Sequence, residues 1–90
     1  MTMIYKYVLQ PGRNVIQLPQ FTQVLTVQMQ DDDMCLWARV NITKPLNTRV
    51  FDVVGTGHAM SDDPRLLYVA TVQMAGGALV WHVFESTPAA

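Results

Sequence analysis

VATVQMAGGALVWHVF, residues 69–84, is the stretch on which the reading of this 90-residue chain turns. Two runs of β-branched and aromatic residues flank Gly76-Gly77, a pair that accepts positive φ at no steric cost, so the stretch reads as a β-hairpin. In its second run Leu79, Trp81 and Val83 alternate with Val80, His82 and Phe84. Neither face is polar. A strand apolar on both faces lies between two layers, and a short chain with no long helical pattern can hardly supply both. A second copy of the chain is therefore expected against the strands carrying Trp37, Trp81 and Phe84.

The same period of two extends outward from the hairpin. LLYVATVQM (66–74) sets Leu67 and Val69 against Tyr68, Ala70, Val72 and Met74. RVFDVVG (49–55) sets Phe51 and Val53 against Val50, Asp52 and Val54. FTQVLTVQMQ (21–30) places Leu25, Val27 and Met29 opposite Thr26, Gln28 and Gln30, and MCLWARV (34–40) continues the pattern after an Asp31-Asp32-Asp33 turn. MIYKYVL and NVIQLP are two further strands divided by Gln10-Pro11-Gly12, while NITKPLNT (41–48) reads as a surface connection. The expectation is all-β: a small antiparallel sandwich or partly open barrel of about six to seven short strands. Residues 1–85 form one domain and 86–90 a flexible tail. At most one short helical turn is expected, near Ser61 as N-cap, because Pro64 permits nothing longer.

Composition narrows the classes of function. The chain is 50% hydrophobic and 14% charged, against a globular norm of about 25% charged. Lys6, Arg13, Arg39, Lys44, Arg49 and Arg65 are scattered in a chain of net charge −1. General nucleic-acid binding, which needs a basic stripe, is not expected. Cys35 stands alone inside an apolar run, which fits a buried thiol and a reducing cytoplasm. No stretch has the length and continuity of a membrane span or the layout of a secretion signal.

The stretch richest in chemistry is GTGHAMSDDP, residues 55–64. One reading makes it an anion site: Gly55, Thr56, Gly57 and His58 form a turn whose amides face a phosphate, and Arg39, Arg49 and Arg65 supply the charge. The other makes it a strand-ending bend. Arg39 and Arg49 each share a strand face with an aromatic, Trp37 and Phe51, giving an anion pocket or a cation-π contact. No catalytic residue is assigned, since a Cys-His pair would need Cys35 exposed and activated. No metal ligand set with paired spacing is present in the sequence, and no cofactor is expected.

KYVL at 6–9, LTVQMQ at 25–30 followed by LWARV at 36–40, GTGH at 55–58 and LLYVATVQMAGGALVWHVFE at 66–85 together resemble a family of small proteins of tailed bacteriophages and prophages, classed as a domain of unknown function. GTGH and GGALVWHVFE are the most distinctive parts of this resemblance. It implies a phage origin and a small β-rich product in the host cytoplasm, and it brings no catalytic residue with it. The function this suggests is a non-enzymatic accessory protein that binds and neutralises a host factor, sequestering a small anionic ligand such as a nucleotide. The alternatives are an inhibitor that grips a host protein through an apolar surface, or a minor structural component of the virion.

Overall fold

The computed structural model describes residues 1–86. Its strands are β1 (Thr2–Leu9), β2 (Gly12–Pro19), β3 (Gln23–Gln30), β4 (Asp33–Asn41), β5 (Leu46–Gly55), β6 (Leu66–Met74) and β7 (Leu79–Ser86). Between the last two, Ala75, Gly76 and Gly77 make a short 3-10 turn with φ of 50°, 65° and 94°. The hairpin read from the sequence is thus built on three successive left-handed residues, two of them glycine.

The strands pair antiparallel throughout, in two sheets ordered β1-β4-β3 and β2-β5-β7-β6. The sheets do not close on each other by hydrogen bonds, so the architecture is a sandwich rather than a barrel. Leu36, Ala38 and Val40 of β4 meet Phe51, Val53 and Val83 of the facing sheet, all 3% exposed or less. Each such buried side chain contributes about 1.5–3 kcal/mol, Ala38 less. Met34 and Val27 extend the same layer.

Two bulges alter the faces that strict alternation assigns. In β6 the register steps between Tyr68 and Ala70, so Tyr68 faces Phe84 while Ala70, Val72 and Met74 pair with Val83, Trp81 and Leu79 on the core side. Tyr68 therefore parts company with Ala70, Val72 and Met74. In β3 the step lies between Val24 and Thr26; Val24 joins Val27 and Met29 against the core, and Leu25 is left 45% exposed. One unpaired residue inverts the parity of everything before it.

Two boundaries also differ. β5 begins at Leu46, because Asn41 closes the preceding turn early: Lys44 N–H donates to its backbone carbonyl, and the Thr43 amide and hydroxyl donate to its Oδ1. No helical turn forms near Ser61. Ser61 Oγ still accepts the Asp63 N–H as an N-cap would, but Asp63 Oδ1 takes the Arg65 N–H, the amide that would have had to reach back to the Ser61 carbonyl. Ser86 belongs to β7, paired with Val50 and Leu66, and the rest of the expected tail lies outside the described residues.

β1 and β2 do not pair with one another; the chain changes sheets at Gln10-Pro11. Asn14 fastens that corner, accepting from the Gln10 amide and donating to the Gln10, Gly12 and Phe51 carbonyls. At the opposite end Arg49 and Glu85 lie on the core side, bridged by Nε to Oε2 at 2.6 Å and Nη2 to Oε1 at 2.8 Å. Arg49 Nη1 also donates to the Thr22 carbonyl, which ties the β2–β3 connection to this ion pair. Among the described residues no helix is long and apolar enough to cross a membrane.

Candidate functional site

β5 and β6 are not neighbours, since β7 lies between them. The connection 56–65 must cross the sheet, and it begins with the GTGH turn. His58 N–H donates to the Gly55 carbonyl at 3.0 Å, with Gly57 at φ 84° completing the bend. Thr56 N–H donates to the Val80 carbonyl at 3.1 Å, and Thr56 Oγ1 lies 2.7 Å from His82 Nε2. Two amides of the turn are therefore spent on the fold itself.

The histidine is held by close approach. Its ring meets Trp81 edge-on, centroids 6.1 Å apart, and a Cβ on Gly55 would lie 2.9 Å from the His58 ring and 3.2 Å from Trp81. Only glycine at position 55 leaves room for this stack. The imidazole packs on an aromatic rather than capping a carbonyl.

Between the crossing loop and the β2–β5 edge lies a cleft of about 380 Å³. Its apolar part comes from Pro11, Val53, Val54, Met60, Leu66 and Trp81, and its polar groups are Arg13, Asp52, His58 and Ser61. Arg13 and Asp52 are direct cross-strand partners. No salt bridge engages Arg13 among the described residues, whereas Asp52 receives a long 3.5 Å contact from Ser86 Oγ. Small-molecule sites commonly have a volume in this range and an apolar wall with a few polar groups.

The three arginines singled out in the sequence are not gathered at the turn. Arg49 is bound to Glu85 and Thr22, with its guanidinium carbon 5.8 Å from the Phe51 ring centroid, so the cation-π reading of that position is the one realised. Arg39 sits in the other sheet, beside Phe21. Arg65 chelates Asp63, and that hydrogen-bonded guanidinium holds the Asp63 carboxyl below the usual carboxylate range. Arg13 carries no local sign of a site beyond the Pro-Gly turn that precedes it. Its place in the cleft follows from the pairing of β2 with β5, which no short window of sequence contains.

Elsewhere, Trp37 is half-buried on the outer face of its sheet between Lys6 and Thr26. Phe84 is half-buried on the outer face of the other sheet, edge-on to Tyr68 at 5.8 Å. Tyr68 continues a chain of polar contacts through Thr71 Oγ1 to His82 Nδ1, at 2.8 and 3.0 Å. Cys35 is buried, with Sγ 3.7 Å from the Asp33 carbonyl. No group of three or more metal-binding side chains is assembled among the described residues.

Fold and cleft together define a class: a small seven-stranded antiparallel sandwich with one crossing loop roofing a mixed apolar and polar recess. The whole chain, residues 1–90, matches the family model described as a domain of unknown function, DUF7352, and the protein belongs to that family. Neither the curated proteins nor the solved structures offer a match to it.

Proposed function

We propose that this protein is a non-enzymatic binding protein of phage origin, acting in the host cytoplasm, and that its ligand is a small molecule held in the cleft beneath the 56–65 loop. The observation that carries this reading is Arg13: the one guanidinium lining the cleft, without a salt bridge among the described residues, in a recess it shares with His58 and an apolar wall that includes Trp81. One guanidinium balances one anionic group, and Asp52 opposite it accepts hydrogen bonds but repels further negative charge. The fitting ligand therefore carries a single anionic group, nearby hydrogen-bond donors and a flat apolar body. Cyclic mononucleotides, whose phosphodiester carries one negative charge, have that chemistry, and linear monophosphates, close to dianionic at neutral pH, fit it less well. Sequestering such a signal would neutralise a host factor with no chemical step.

The test is calorimetry and thermal shift against linear and cyclic mononucleotides. Binding at a hundredfold excess over Kd stabilises the fold by about 2.7 kcal/mol. Arg13→Ala should abolish the shift, while Arg39→Ala should leave it intact. If no nucleotide binds, or if Arg13→Ala binds as well as the parent, the cleft is not the site and an apolar grip on a host protein becomes the better account.

A further inference from the structure

Phe21 is unexplained by the fold. It has φ 63° and is 87% exposed in the turn between β2 and β3. A bulky residue in the left-handed region is an outlier that glycine or asparagine would relieve, and this ring buries almost nothing in return. The turn is not loose: Gln20 N–H donates to the Pro45 carbonyl at 2.9 Å and the Thr22 hydroxyl to the Pro19 carbonyl at 2.6 Å. Nearby, Ile42 on the β4–β5 connection and Leu46 at the start of β5 are 43% and 63% exposed. Besides the Arg49–Glu85 pair and the Met1 ammonium, which is bound to Asn41, the charges at this pole are Arg39, which lines a small recess with Phe21, and the exposed Lys44; neither turn itself contains an acid.

The opposite pole offers the complement. A recess of about 140 Å³ opens between the sheet ends, walled by Leu9, Pro11, Met34, Met74, Leu79 and Trp81 and rimmed by Asp32 and Asp33. A cavity of about 150 Å³ lined by apolar groups holds a benzene ring. No basic residue lines this one.

We infer that the protein self-assembles head to tail, with Phe21 of one copy seated in the Asp32-Asp33 recess of the next and Arg39 and Lys44 facing those carboxylates. The match is of size, polarity and charge sign. Head and tail are different surfaces, so the contact is heterologous and generates a ring or a filament rather than a two-fold dimer. It does not rest on the nucleotide reading, since Arg13 takes no part in it, although Pro11 and Trp81 wall both the recess and the cleft.

Light scattering and sedimentation velocity, from low-micromolar to submillimolar protein, test the assembly. The average mass should rise past that of a dimer with concentration and fall with added salt. Phe21→Ala should weaken association about thirtyfold or more, as loss of an anchoring aromatic does, and circular dichroism checks that the variant keeps its fold. The charge-reversed pair Arg39→Glu with Lys44→Glu, and separately Asp32→Lys with Asp33→Lys, should each stay monomeric. Mixing those two proteins should restore assembly, since each then meets opposite charge. A monomeric wild-type protein, a mass that stops at a dimer, association indifferent to Phe21→Ala, or a monomer that binds anionic lipid vesicles through Phe21 would each overturn the inference.

Discussion

Breaking the Arg49–Glu85 bridge should cost more than a surface ion pair and less than a fully buried one. The side chains are 22% and 18% exposed, and the contact is bidentate. At an effective dielectric of 20 two charges about 4 Å apart attract by about 4 kcal/mol, before desolvation and side-chain ordering are subtracted. Exposed pairs retain about 0.2–1 kcal/mol, whereas removing one partner of a buried pair costs about 3–5 kcal/mol. A pair four-fifths buried falls between those two ranges, so Glu85→Gln should destabilise by about 2 kcal/mol. Arg49→Met also leaves the Thr22 carbonyl without its donor, and should lose about 1 kcal/mol more. Each kcal/mol moves Tm by about 4–8 °C in a domain of this size. Urea and thermal unfolding of both single variants and the double variant give the coupling energy directly. We expect about 2 kcal/mol. A coupling under about 0.5 kcal/mol would refute the reasoning and return Arg49 to the candidates for ligand binding.

Three further outcomes follow from particular geometries. Ala75→Gly relieves a left-handed alanine in the β6–β7 turn and should stabilise by about 0.5–1 kcal/mol in urea melts; a loss of stability would show that the alanine methyl is needed there. Gly55→Ala should push the His58 ring off Trp81, costing about 1–3 kcal/mol and shifting the His58 ring resonances in NMR spectra; unchanged spectra would contradict the stack. Burial beside Tyr5 raises the Tyr7 phenol above its ordinary value of 10.0. The folded chain thus holds that proton more tightly, so the stabilisation is complete below pH 10 and is lost as pH rises through the raised value. Tyr7→Phe should flatten the fall of Tm in this alkaline range, and an equally steep fall would remove Tyr7 as its source.

How far the chain could be read depends on the range of the forces involved. Alternation and turn chemistry are local, so the hairpins around Gly76-Gly77 and Asp31-Asp33 were legible, with Leu36, Ala38 and Val40 correctly set toward one side. The bulges at Leu25 and Val69 were not, because an extra residue is favoured by sheet twist and partner packing rather than by its own identity. The placing of Arg49 on the Phe51 face was right. Its carboxylate partner, 36 residues away, is decided by the pairing of β5 with β7. Arg13 reaches the cleft, and Phe21 its left-handed turn, through comparable long-range constraints, and neither carries a recognised local signature.

The sheet exchange at Gln10-Pro11 also sets the order in which the chain can become structured as it is made. β1 has no partner until β4 exists, and β2 none until β5 exists. At ordinary synthesis rates of about 5–20 residues per second, MIYKYVL waits on the order of a few seconds with both faces bare. Pairings so distant in sequence also close slowly once their partners arrive. The first pairing available is then the β3–β4 hairpin, marginal by itself, and apolar β1 docks on it as its third strand. Yield in a cell should accordingly depend on temperature and on chaperones that shelter extended apolar segments more than the stability of the finished sandwich would suggest.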